Sequence, residues 1–92
     1  MRGKRRRVEL EPEVERAFEA IKANEPRGDE AIEGFIRFVS RAAEHGYAVP
    51  RTPGVLSRPL HTAVAAYLVI YEIDDEVVTC VGIRQVPYNN FS

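Results

Sequence analysis

One cysteine, Cys80, is all the sequence has, which excludes an internal disulfide. It sits inside an apolar β-type run, where a thiol behaves as a small hydrophobe, so its expected place is the core. No stretch of 18 apolar residues occurs, and the basic run Arg2, Lys4, Arg5, Arg6, Arg7 leads into glutamate-rich sequence rather than an apolar segment. The expectations are a cytoplasmic protein, no membrane partner and no signal peptide. His45 and His61, the only histidines, are far apart and lack an accompanying cysteine or carboxylate pattern, so neither a structural zinc site nor any other metal or cofactor is expected. Internal repeats are absent. At 92 residues there is no room for a second core, and residues 1–92 are read as one domain with residues 1–4 a flexible basic tail.

What is present is an ordinary globular composition, 45% hydrophobic and 29% charged, with its charges segregated along the chain. Five basic and no acidic residues occupy positions 1–8, while nine acids face only Arg16, Lys22 and Arg27 over positions 9–33. Arg37, Arg41, Arg51 and Arg58 then oppose a single acid, Glu44, before an acidic C-terminal stretch in which Arg84 stands alone. The net charge of -1 means that a nucleic-acid partner would have to meet a local basic face.

Alternation from Arg5 to Leu10 places Val8 and Leu10 on one side of a short first strand. Pro12, flanked by Glu11, Glu13 and Glu15, opens a helix whose stripe is Val14, Ala17, Phe18 and Ile21. Asp29 is the expected N-cap of a second helix with Ile32, Phe35, Ile36, Val39 and Ala43 as its stripe, Phe38 and Ala42 widening it and Gly46 stopping it. Tyr47 to Val49 reads as a short extended piece. Pro50, Pro53, Gly54 and Pro59 predict a loop without long regular structure. Val64–Ile73 and Val77–Ile83, rich in Val, Ile and Tyr and separated by Asp74, Asp75 and Glu76, predict an antiparallel hairpin at the centre of the sheet, with Gly82 permitting a bulge. The adjacent acids are turn formers, since neighbours in a hairpin turn do not converge on one bond. The expected fold class is α+β, a helical hairpin packed on an antiparallel sheet in the order β-α-α-β-β-β.

The stretch Tyr67-Leu68-Val69-Ile70-Tyr71-Glu72-Ile73-Asp74-Asp75-Glu76-Val77-Val78-Thr79, followed by Val81-Gly82-Ile83-Arg84 and Tyr88, resembles the central hairpin and exit strand of the RelE/ParE superfamily of bacterial type II toxins. The resemblance implies a toxin held in check by a cognate antitoxin, as a homodimer or a toxin–antitoxin hetero-oligomer. The leading expectation is a RelE-like member, a ribosome-dependent endoribonuclease that cleaves mRNA without a metal, with two alternatives. A ParE-like member would inhibit DNA gyrase without cutting nucleic acid, and a decayed relative would only bind its antitoxin.

For the nuclease, attack by a 2′-hydroxyl on the adjacent phosphate needs a base, cations and an acid for the leaving oxygen. Arg84 matches the family's phosphate clamp and Tyr88 its C-terminal tyrosine, which moves a proton or stacks on a base. Leu68 stands where many nuclease members carry arginine, so that contact would pass to Arg58 or be lost. His61 has acid–base capacity near neutral pH but lies outside the family's histidine position, which falls near Ile83 or Gln85. Arg37 and Arg41, one turn apart on the polar side of the second helix, and Arg5, Arg6 and Arg7 are the candidate RNA-phosphate contacts.

Overall fold

The computed structural model describes residues 5–87. Strand β1 (Arg7–Leu10) leads into helix α1 (Pro12–Asn24), which Pro12 opens at its first turn with Glu13 and Glu15 on the positive end of the helix dipole. Helix α2 (Gly28–Ala42) follows and ends in a 3-10 turn, Ala43–His45. The two-residue strand β2 (Tyr47–Ala48) precedes β3 (Val55–His61), β4 (Ala66–Ile73) and β5 (Val77–Val86). The β-α-α-β-β-β order holds, with β2 as an extra rung at the sheet edge. Residues 1–4, the expected tail, lie outside the described residues.

The sheet order is β1-β5-β4-β3-β2, and it is mixed rather than antiparallel throughout. β1 runs parallel to β5, with Val8 beside Val78 and Leu10 beside Cys80, because the helical hairpin carries the chain over the sheet before the strands begin. The β4–β5 hairpin starts two residues later than expected and extends to Val86. A register shift sets Ile70 against Gly82 but Tyr71 against Cys80, so Val81 is the extra residue of a bulge beside the glycine that the sequence marked.

Two local expectations are corrected. The segment read as a loop contains the seven-residue strand β3, whose Pro59 lies beyond the two rungs of β2. There β3 is an edge, the setting in which a missing N–H costs no ladder bond. Asp29 is not the N-cap of α2. Arg27 occupies that position in the left-handed region (φ 56°), and the helix starts at Gly28, packed so tightly on α1 that a Cβ there would lie 2.2 Å from the Ile21 carbonyl oxygen.

Both helices lie on one face of the sheet, α1 over β5 and α2 over β1 and β3. Their stripes supply Val14, Phe18, Ile21, Ile32, Phe35, Val39 and Ala43 to the core, and Phe18 meets Phe35 edge to face at 6.0 Å. The sheet supplies Leu60, Val69, Tyr71, Val78 and Cys80. Burial pushes the Cys80 thiol up to about 12, which leaves it a hydrophobe and not a nucleophile. Gly46 is a glycine by necessity of approach. The Tyr71 hydroxyl, which donates to the Ala43 carbonyl at 2.6 Å, would sit 2.0 Å from a Cβ at residue 46. At the hairpin turn, the Asp74 carboxylate accepts from the N–H groups of Glu76 (2.9 Å) and Val77 (2.8 Å), and these bonds hold its pKa below the usual range.

Candidate functional site

Strand pairing sorts the sheet residues into rows. Arg58, Val69 and Ile83 form one row on the helix side, and Pro59, Leu68 and Arg84 form the next on the bare side. Ser57, Ile70 and Gly82 continue the bare face. Its centre is therefore apolar, with the exposed Arg84 at one side. Arg58 is not beside Arg84. Its guanidinium lies 3.5 Å from the centre of the Phe38 ring, between sheet and helix α2. His61 ends β3 and lines a shallow hollow with Arg27, Glu30 and Thr62. His61 shares its row with Ala66 and Val86, so it lies two strand spacings across and two residues along from Arg84, roughly 12 Å away. Tyr88 lies outside the described residues.

A second feature adjoins Arg84. β1 covers β5 only from Val77 to Cys80, so among the described residues the rest of that edge, through Val86, has no strand beside it. α1 runs alongside, and between them lies a groove of about 260 Å³ with Ala17, Ala20, Ile21 and Ile83 as its apolar floor. Its far end is polar. The Glu25 carboxylate accepts from Thr62 Oγ1 at 2.5 Å and from the Tyr67 hydroxyl, tying the α1–α2 turn to the β3–β4 turn and to β4. Burial, reinforced by Glu25, raises the Tyr67 phenol to about 12, so it donates throughout the physiological range. Sequence reasoning assigned Glu25 and Tyr67 no role. Forty-two positions separate them, and no local pattern signals the pair.

The basic residues divide. Arg5, Arg37 and Arg41 meet around one hollow of about 420 Å³ that also contains Glu33, Ile36 and Ser40. Arg6 is engaged in the fold: its guanidinium bonds Glu44 at 2.8 Å and the Asp74 carbonyl at 2.7 Å, and that hydrogen bond lowers the Glu44 pKa. Arg7 pairs with Glu9 at 3.0 Å on the surface. Neither reaches the hollow's lining. No helix among the described residues is long and apolar enough to cross a membrane. No family model, curated protein or solved structure matches this chain.

Proposed function

We propose that this chain is the toxin of a type II toxin–antitoxin pair, and that it acts by occupying a protein target in the ParE manner rather than by cutting RNA. The toxin reading rests on the likeness of the Tyr67–Thr79 hairpin and its Arg84 exit to RelE/ParE proteins, together with the β-α-α-β-β-β order. The choice between modes rests on one observation, the row Pro59–Leu68–Arg84. Cleavage by 2′-hydroxyl attack needs several cations and an acid–base group around one phosphate. Arg84 has an apolar neighbour where the second cation would stand, Arg58 is turned against Phe38, and His61 is two strands away. An apolar centre flanked by one arginine suits a protein surface, where arginine is a preferred anchor. The free edge of β5 with its groove is the proposed antitoxin seat, since an extended segment can add a strand there and lay apolar side chains on Ala20 and Ile83.

The RelE-like reading keeps one supporting observation, the exposed Arg84 on β5 four residues before Tyr88. Inducing the chain in bacterial cells separates the two. Growth arrest with linearised DNA and an SOS response, and with mRNA 5′ ends unchanged, is the expected result. New 5′ ends in translating mRNAs that vanish with Arg84→Ala would replace it with the nuclease reading. No growth defect would remove the toxin reading.

A further inference from the structure

Of the eleven lysines and arginines among the described residues, five have a partner: Arg6 has Glu44, Arg7 has Glu9, Lys22 has Glu19, Arg27 has Glu30 and Arg58 has the Phe38 ring. Arg5, Arg37 and Arg41 engage no carboxylate among the described residues, yet all three line the same hollow. Arg37 and Arg41 are one turn apart on α2, a spacing that costs a few tenths of a kcal/mol in an isolated helix. Arg5 is brought to them by the fold. The Arg6 N–H donates to the Ser40 carbonyl at 2.7 Å, Ser40 Oγ donates to the Arg6 carbonyl at 2.9 Å, and the Arg6 guanidinium is held by Glu44 and Asp74. These bonds fasten the backbone next to Arg5 against α2, so the rim is pre-organised. The floor is the half-buried Ile36.

We propose that this hollow is a docking site for an acidic amphipathic peptide segment, which offers carboxylates to the three guanidiniums and a bulky apolar side chain to Ile36. The site is carried by its own geometry and does not depend on the toxin reading. Guanidinium forks recognise carboxylate and phosphate alike, so the surroundings decide. Glu33 on the rim opposes a continuous line of phosphates, and among the described residues no aromatic side chain lines the hollow to stack a base. An apolar floor ringed by arginines is instead matched by leucine-type anchors flanked by Glu or Asp, and carboxylates one helical turn apart repeat at the spacing of Arg37 and Arg41.

The test uses the full chain and a fluorescein-labelled peptide with leucines at helical spacing among glutamates, read by anisotropy. The expected result is saturable binding that weakens at least tenfold when the glutamates are replaced by glutamines, and also in the Arg37→Ala/Arg41→Ala variant. Ile36→Ser should weaken both the glutamate and the glutamine peptide. Circular dichroism confirms that the arginine variant, altered only at exposed positions, keeps its fold. No saturable binding up to millimolar peptide, or equal binding by the arginine variant, would overturn the proposal. So would tighter binding of a single-stranded uridylate oligomer that is lost in the same variant.

Discussion

Leu68 stands directly opposite Arg84 across the β4–β5 pair, on the face of the sheet that carries no helix among the described residues. Directly opposed side chains contribute about 0.2–1 kcal/mol according to their chemistry, with like charges unfavourable. Leu68→Glu and Leu68→Arg are therefore expected to separate in stability by about 1 kcal/mol in favour of glutamate. For a domain of this size that corresponds to a melting-temperature difference of about 4–8 °C. Thermal denaturation at low and high salt checks it, because the gap should shrink as salt screens the pair.

Gly46 and Tyr71 offer a second test. Gly46→Ala forces a methyl group into the space of the Tyr71 hydroxyl and should cost about 1–3 kcal/mol. Tyr71→Phe leaves the buried Ala43 carbonyl without its donor, at about 1–2 kcal/mol. Removing the hydroxyl also removes the nearest obstacle to the new methyl. The double variant should then lose less than the two single losses added together, measured by urea denaturation as a double-mutant cycle. Strict additivity would mean that the hydroxyl is not what makes residue 46 glycine.

The Asp74 carboxylate fixes the hairpin turn through two backbone N–H groups, and its folded pKa lies below its unfolded value. The stability it supplies is present above the unfolded pKa, about 3.9, and is lost as pH falls through the lower folded value. Asp74→Ala should be less stable than the parent chain at pH 6, and the difference should close as the medium is acidified below pH 4. Denaturation curves across that range decide it. A difference independent of pH would assign the turn to backbone geometry alone.

How much of this was legible in sequence depends on the range over which each feature is set. The stripes of Val14, Phe18 and Ile21 and of Ile32, Phe35 and Val39 could be read because helical periodicity is local. The Asp74 turn between two β-rich runs was legible for the same reason. The parallel seat of β1 was not, since nothing near Arg7–Leu10 specifies that it will lie beside residues 77–80. β3 was hidden because Pro53, Gly54 and Pro59 look like loop residues until the edge position of Pro59 is known. Arg84 and Leu68 could be singled out by resemblance, but not their opposition across the sheet. The inward turn of Arg58 and the union of Arg5 with Arg37 and Arg41 arise only once α2 packs on the sheet.

Tyr67 should report the groove directly. With its phenol raised to about 12 by burial and by Glu25, its ionisation should lag that of an exposed tyrosine in an ultraviolet titration. A folded pKa above the unfolded value means that the stability linked to Tyr67 is fully present below about pH 10 and is lost as pH rises toward 12. Glu25→Gln removes the negative neighbour but not the burial, so the late titration should move down only in part. A titration unchanged by Glu25→Gln would show that burial alone sets it.

Arg58 and Arg84 separate packing from function. Arg58 covers the Phe38 ring between sheet and helix, so Arg58→Ala removes a cation–π contact and the packing of its alkyl stem, about 1 kcal/mol and several degrees of melting temperature. Arg84 is exposed and has no ion-pair partner among the described residues, so Arg84→Ala should stay within about 0.5 kcal/mol of the parent. Under the proposed toxin function, growth arrest on induction should respond in the opposite order, weakened strongly by Arg84→Ala and only in proportion to lost stability by Arg58→Ala. Measuring both variants for melting temperature and growth arrest places each arginine. If Arg84→Ala arrests growth as well as the parent does, the target is engaged elsewhere on the molecule. If Arg58→Ala abolishes arrest at unchanged melting temperature, the guanidinium leaves Phe38 to meet the target.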